Sequence, residues 1–190
     1  MILISAEGKN KTEKLYFEAF NGGNVNIRFA KGNETDPVHL ARALILEYEK
    51  LELSSEYGDT AYCVVDGDLS PLQEELMRKA ETSLKKIGGE MIVSNPCFEI
   101  WFLCHYECST RQYTSSQEVI NTLKRYIPNY EKGHSKIYQL LADKTDIAIS
   151  NAKKLDSYHT QMRSDLKRYT CQPHTGAYRI AELILHKNKK

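Results

Sequence analysis

Residues 60–70 read T-A-Y-C-V-V-D-G-D-L-S, and this stretch decides the fold. Its apolar run from Tyr62 to Val65 stops abruptly at Asp66, Gly67 and Asp68, which is typical of a fully buried strand that ends in two carboxylates. Open α/β sheets keep their ligands at the carboxyl ends of their strands. We therefore expect the functional site to lie where this strand ends.

A second strand of the same kind opens the chain, where the I-L-I of residues 2–4 leads into the S-A-E-G of residues 5–8. If the two strands are parallel neighbours, Glu7 lies close to Asp66 and Asp68. Three carboxylates repel one another unless a cation holds them, and hard oxygen ligands suit Mg²⁺ or Mn²⁺. The sequence therefore predicts a metal site formed by these three carboxylates.

Strands alternate with helices over the first half of the chain. Hydrophobic periodicity predicts strands over residues 2–5, 25–30, 62–65 and 91–94, with helices over residues 12–20, 37–53 and 71–86 between them. Asn95 is expected to cap a fourth, strongly apolar helix that begins at Pro96. The alternation implies an α/β fold with a mostly parallel four-stranded sheet and helices on both faces.

The last third of the sequence changes character and reads as a helical extension. Helices are expected over residues 115–126, 135–141, 143–169 and 176–187. We expect an α/β domain over residues 1–110 and a helical, basic C-terminal subdomain over residues 111–190 that packs on it. Residues 1–110 hold 11 Lys or Arg against 18 Asp or Glu, whereas residues 111–190 hold 15 against 7. An acidic half that holds a cation and a basic half that holds phosphates would suit a nucleic-acid enzyme, although lysine-rich helices also simply confer solubility.

Two polar residues interrupt the apolar helix after Pro96. A buried Glu99 needs a partner, so it is either tied to a Lys or Arg or lies beside the metal. His105 is either a satisfied histidine at the helix end or a catalytic group. Zinc is not expected, because Cys104, His105 and Cys108 lack a second ligand pair at zinc spacing.

Basic residues suggest where phosphates bind. Lys9 and Lys11 flank the expected start of the first helix, although the spacing of a P-loop is missing. A later tract interleaves aromatic and basic side chains, namely Tyr126, Tyr130, Lys132, His134, Lys136 and Tyr138. Such a tract can stack on bases and neutralise phosphates, or its tyrosines can pack a helical cap against the sheet.

The composition of the sequence indicates the cellular compartment of the protein. No apolar run approaches the ~20 residues of a membrane helix, and no secretory signal precedes the first strand. The sequence has an odd number of cysteines, five, which argues against a disulfide framework. We expect a cytoplasmic protein without a membrane partner.

Several motifs together resemble the RloB-like family. They are E-G-x-x-x-T-E at residues 7–13, D-G-D at 66–68, S-N-P-C-F-E-I-W at 94–101, N-A-K-K-L at 151–155 and P-H-T at 173–175. The resemblance implies a Toprim-type domain, the fold shared by primases, topoisomerases and OLD-family nucleases. In that fold Glu7 would be a metal ligand or general base, and Asp66 and Asp68 would be metal ligands. Relatives often carry a basic N-terminal leader, whereas this sequence begins directly at the first strand, so we expect any grip on nucleic acid that the leader supplies to come from other residues or to be absent.

The same resemblance implies a role in bacterial anti-phage defence by abortive infection. It also implies that the protein is a ribonuclease, with tRNA as a plausible substrate. It leaves open whether a homo-oligomer or a partner defence protein completes the site. The mechanism we expect is metal-assisted phosphodiester hydrolysis, with Lys9, Lys11 or Lys132 neutralising developing charge. Two alternatives stand beside it. One is a phosphatase or phosphotransferase of the haloacid-dehalogenase kind with Asp66 as nucleophile, and the other is a non-catalytic nucleic-acid-binding or nucleotide-binding partner of a defence complex.

Overall fold

One mostly parallel sheet forms the centre of the molecule. The computed structural model describes residues 1–7, 11–32, 35–67, 71–162 and 171–189. The strands are β1 (Ile2–Ala6), β2 (Ile27–Phe29), β3 (Thr60–Asp66), β4 (Glu90–Asn95) and β5 (His174–Thr175). They lie in the order β2-β1-β3-β4-β5, in which β1 to β4 are parallel and β5 runs antiparallel to β4.

Helices precede or follow each of the long strands. They are α1 (Thr12–Glu18), α2 (Pro37–Lys50), α3 (Pro71–Leu84), α4 (Glu99–Cys104), α5 (Ser116–Leu123), α6 (Ile137–Leu141), α7 (Thr145–Met162) and α8 (Tyr178–Asn188). The start of α2 follows from its cap, since Asp36 Oδ1 accepts hydrogen bonds from the backbone N–H groups of Val38 and His39. Each helix of the described residues is too short or too polar to span a membrane.

The helices cover both faces of the sheet, as expected for a parallel sheet. Successive residues of a strand point to opposite faces. One core therefore contains Leu3 and Val65 with α2 and α3, and the other contains Ile4 and Val64 with α1, α4 and the C-terminal helices. The predicted α/β class is confirmed.

The expected adjacency of the first and third strands is also confirmed. β1 and β3 are parallel neighbours from the pair Ile2 and Thr60 to the pair Ala6 and Val64. The carboxyl ends of the two strands therefore lie side by side.

The expected helix start at Asn95 and Pro96 is wrong. Asn95 is the last residue of β4 and pairs with His174 of β5, and α4 begins only at Glu99. The peptide bond between Asn95 and Pro96 is cis. Pairing with β5 fixes Asn95 in an extended conformation, so the chain passes through a short connection before the helix starts.

The prediction of four strands is wrong by one, because β5 was missed. Two residues are too few to give the alternating pattern by which strands are recognised. Ser94 Oγ and Thr175 Oγ1 lie 2.8 Å apart, both buried, and link β4 to β5. The region after residue 111 thus contributes a strand to the sheet, and the domain boundary at residue 110 stays a prediction. The helix expected over residues 143–169 corresponds to α7, which begins at Thr145 and which the structure describes as far as Met162.

Candidate active site at the carboxyl edge of the sheet

Asp66 ends β3 at the centre of this edge. Its Oδ1 accepts a 2.8 Å hydrogen bond from the backbone N–H of Phe98, in the connection between β4 and α4. Burial raises the pKa of Asp66 well above its usual value, and the negative charges of Glu13, Glu7 and Glu99 raise it further. These four carboxylates are called the acid cluster below.

Glu7 and Glu13 approach Asp66 from the first strand and first helix. Glu7 directly follows β1, whose last residue pairs with Val64 two positions before Asp66. Glu13 lies in the first turn of α1 and is 8% exposed. Burial raises the pKa of Glu13 to about 7; a backbone hydrogen bond opposes that rise, and the charges of Glu99 and Glu7 add to it. Sequence reasoning missed Glu13, although its place in the E-G-x-x-x-T-E motif was a usable signal.

Glu99 is the deepest member of the acid cluster. The residue is 1% exposed, and the Tyr130 hydroxyl donates a 2.8 Å hydrogen bond to its Oε1. Its Oε2 lies 3.9 Å from the Lys132 ammonium and accepts no hydrogen bond from the described residues. The expected basic partner of Glu99 is therefore Lys132.

Lys132 brings a positive charge to the acid cluster. Burial by itself would lower the pKa of Lys132, but the charges of Glu99 and Asp66 outweigh that effect, so the pKa is raised. The backbone N–H of the next residue, Gly133, donates a 3.1 Å hydrogen bond to Thr12 Oγ1 at the start of α1. This bond holds the turn that carries Lys132 over the site.

The other residues expected to bind nucleic acid lie around this turn. His134 Nδ1 accepts a 3.2 Å hydrogen bond from the backbone N–H of Lys136, whose side chain is exposed. Lys11 is exposed at the start of α1, with a left-handed φ of 54°. The structure brings Lys132 to the acid cluster, whereas these three residues lie at the surface nearby.

The packing around Gly67 explains why a glycine stands between the two aspartates of the D-G-D motif. A Cβ at this position would lie 2.6 Å from Asn95 Cγ, closer than real Cβ atoms approach. The Gly67 backbone N–H donates a 2.8 Å hydrogen bond to the Ser94 carbonyl. Close packing of β3 on β4 beyond Asp66 therefore requires glycine.

His105 lies in the aromatic core, at the far end of α4 from Glu99. Its Nδ1 is 2.9 Å from the Trp101 carbonyl and its Nε2 is 3.3 Å from the Tyr16 hydroxyl. A carbonyl only accepts, so Nδ1–H donates and Nε2 accepts from Tyr16. Burial lowers the pKa of His105 to about 4. This geometry favours the alternative of a satisfied, neutral histidine over that of a catalytic one.

The acid cluster suits a divalent cation by its chemistry. It offers hard carboxylate oxygens, and burial together with the repulsion among the carboxylates raises the pKa of Asp66. Within the described ranges, no group of three or more His, Cys, Asp or Glu side chains is close enough to hold a metal ion. Two predicted site residues, Lys9 and Asp68, lie outside those ranges.

Fold and site together define an α/β protein whose mostly parallel sheet carries a buried acid cluster at its carboxyl edge. The family model described as RloB-like protein matches residues 2–184, and the chain belongs to that family. The match covers the strands, α1 to α7, most of α8 and every member of the acid cluster. Comparison with curated proteins and with solved structures gave no match.

Proposed function

We propose that this RloB-like protein is a metal-dependent nuclease that hydrolyses phosphodiester bonds in RNA. The observation that carries the proposal is the acid cluster, in which Glu7 and Asp66 end two adjacent parallel strands. The family resemblance adds the narrower proposal that the substrate is tRNA and that the cleavage serves anti-phage defence in the cytoplasm.

Glu7 and Asp66 would hold Mg²⁺ or Mn²⁺, with Asp68 as the third ligand expected from the sequence. The hydrogen bond from the backbone N–H of Phe98 to Oδ1 would hold the Asp66 carboxylate in place for the ion. When bound, the ion would polarise the scissile phosphate and lower the pKa of a coordinated water. A cation would also offset the burial and the repulsion that together raise the pKa of Asp66.

Lys132 would bind the phosphate and neutralise the negative charge that develops on it. Its ammonium lies 3.9 Å from Glu99 Oε2, and 31% of its side chain is exposed. The ammonium is thus held beside the cluster while it remains within reach of a ligand. Glu99, fixed by the Tyr130 hydroxyl, would position Lys132 and not touch the substrate.

The phosphatase or phosphotransferase alternative would use the Asp66 carboxylate as a nucleophile at the same edge of the sheet. The nuclease proposal is favoured because it also gives a role to Glu7, which directly follows the parallel strand beside β3. A covalent aspartyl-phosphate trapped on Asp66 would support the alternative instead.

The test is incubation of purified protein with total tRNA, single-stranded RNA and plasmid DNA in Mg²⁺, Mn²⁺ or EDTA. The isosteric variants Glu7→Gln and Asp66→Asn are compared with Glu56→Gln, which changes an exposed carboxylate in the turn before β3, at the opposite edge. We expect discrete RNA fragments from the wild type and Glu56→Gln, and none from the other two variants. Cleavage that persists in Asp66→Asn, or that is absent from the wild type with all three substrates, contradicts the proposal.

A further inference from the structure

A second polar site adjoins the acid cluster at the carboxyl ends of β1 and β2. It is a cleft of about 260 Å³, lined among others by Ala6, Glu7, Lys11, Lys14, Phe29 and Lys31. Lys11 lies at the start of α1, Lys14 on the exposed face of α1 and Lys31 in the segment after β2. We call this site the lysine cleft, and Glu7 is common to it and to the acid cluster.

Among the described residues, positive charges outnumber negative ones in the lining of the lysine cleft. Three lysines line it against one carboxylate residue, Glu7, which the acid cluster shares. Lys14 also pairs with Glu18 at 3.5 Å, but these side chains are 46% and 40% exposed. Exposed pairs on one helix are weak, so the Lys14 ammonium remains able to exchange this partner for a ligand.

The shape of the cleft limits what it can hold. Its volume is near the lower end of the range for small-molecule pockets, about 300 Å³. Phe29, at the end of β2, is partly buried and gives one wall an aromatic surface. Lysine ammonium groups bind phosphate as flexible point charges, and an aromatic ring stacks on any base. The chemistry of the cleft thus matches a phosphate with its attached nucleoside.

The backbone conformation at Lys11 is of a kind that is found at ligand sites. Its left-handed φ of 54° is uncommon for a residue other than glycine, and such conformations concentrate at ligand sites. The next residue, Thr12, accepts the hydrogen bond from Gly133 that also fixes Lys132. One short segment therefore orients a lysine toward the cleft and anchors the turn over the acid cluster.

We propose that the lysine cleft binds the phosphate of the nucleotide next to the scissile phosphodiester in a single-stranded nucleic acid. This inference rests on the proposed function, because Glu7 places the cleft directly beside the expected site of cleavage. Lys14 and Lys31 contact that flanking phosphate, and Phe29 contacts the attached nucleoside. The subsite sets the register of the strand, so that the adjacent phosphate reaches Asp66.

The test measures binding separately from cleavage. Fluorescence anisotropy in EDTA follows a labelled RNA of about 12 nucleotides, with either a 5′-phosphate or a 5′-hydroxyl, at several salt concentrations. The variant Lys14→Ala/Lys31→Ala is compared with Lys85→Ala/Lys86→Ala, which removes the same charge from exposed lysines at the amino edge of the sheet. Thermal unfolding of each variant checks that it is folded.

We expect the cleft variant to bind about ten-fold more weakly, and the slope of log K against log salt to fall by about 0.7 for each phosphate that the variant no longer neutralises. The control variant should bind like the wild type. Glu18→Gln should bind at least as tightly as the wild type, because it removes the competing carboxylate of Lys14. An equal weakening with both RNAs supports an internal phosphate, as proposed, whereas a weakening confined to the 5′-phosphorylated RNA overturns the proposal in favour of a site for a terminal phosphate.

The outcomes separate this inference from the proposed function. If the wild type binds RNA, the cleft variant binds it more weakly and no substrate is cleaved in metal, the lysine cleft stands as a phosphate-binding site for a single strand, whereas the nuclease proposal and the position next to a scissile bond both fail. If Asp66→Asn abolishes cleavage while the cleft and control variants bind equally, the nuclease stands and the cleft proposal is wrong. Failure of the wild type to bind either RNA also overturns the cleft proposal.

Discussion

The backbone N–H of Phe98 donates a 2.8 Å hydrogen bond to Oδ1 of Asp66. This bond joins the connection before α4 to the end of β3, and Glu99, the next residue, carries the deepest carboxylate of the acid cluster. The S-N-P-C-F-E-I-W and D-G-D motifs therefore form one structural unit, although they are far apart in sequence. Changes to either motif should affect the same reaction.

Asp66→Asn should abolish cleavage without unfolding the protein. Asparagine can still accept the hydrogen bond from Phe98 through its amide oxygen, but it no longer provides a carboxylate for a cation. We expect the rate constant for cleavage to fall by at least about 10²-fold, comparable to the removal of one transition-state donor. Urea denaturation in EDTA at a pH of about 8 should give a free energy of unfolding equal to or above that of the wild type, because asparagine avoids the cost of burying a carboxylate among other acids. A variant that is folded and fully active would contradict this expectation.

Glu13→Gln should remove a dependence of stability on pH. The pKa of a glutamate side chain is ordinarily 4.5, whereas that of Glu13 in the folded protein is about 7, so the folded state binds a proton more tightly than the unfolded state. The stabilisation is therefore complete below pH 4.5 and disappears as pH rises through about 7. We expect the free energy of unfolding of the wild type to fall by about 2–3 kcal/mol more than that of Glu13→Gln between about pH 4.5 and about pH 7.5. Urea denaturation of both proteins in EDTA across this range is the measurement, and parallel pH profiles would refute the assignment.

Gly67→Ala should displace Asn95. The new Cβ would lie 2.6 Å from Asn95 Cγ, so the end of β4 has to move. We expect a destabilisation of about 1–3 kcal/mol, as for overpacked sites, together with slower cleavage. Gly89→Ala is the matched control, because its Cβ would come no closer than 3.4 Å to another atom and it lies at the opposite end of β4. Equal unfolding midpoints for the two variants in urea would contradict the steric argument.

Lys132→Met should leave Glu99 buried without its cation. Because the ammonium is partly exposed and 3.9 Å away, we expect the free energy of unfolding to fall by a modest amount, about 1–2 kcal/mol. Adding Glu99→Gln should restore most of that stability but none of the cleavage activity. Lys124→Met, which changes an exposed lysine at the end of α5, is the control. A double variant as unstable as Lys132→Met alone would show that the pair is not coupled.

His105→Asn should lower stability and spare the chemistry. The imidazole makes hydrogen bonds to the Trp101 carbonyl and the Tyr16 hydroxyl, and asparagine replaces the first of them only. We expect a destabilisation of about 1–3 kcal/mol, with the rate of cleavage per folded molecule and its pH profile unchanged. A large fall in that rate for the folded protein would return His105 to the catalytic group.

Local patterns in the sequence determined which strands carry the site and where Glu7 and Asp66 lie on them. The apolar runs ending in Glu7 and Asp66 specified two buried strands, and the helices between strands required those strands to be parallel. Parallel neighbours end at the same edge of a sheet, which is why two carboxylates distant in sequence could be placed together. Capping was equally local, since Asp36 before Pro37 gave the start of α2.

Only the tertiary structure decided which side chains surround those carboxylates. Glu13 enters the site because α1 begins next to β1, and Tyr130, 31 positions after Glu99 in sequence, donates to its carboxylate. The same holds for β5, whose two residues form a strand through pairing with β4. Hydrophobic periodicity shows which face of a helix or strand is apolar, but it does not show which residues pack against that face. Those partners are fixed by long-range packing, because each buried charge must find a compensating group somewhere in the assembled core.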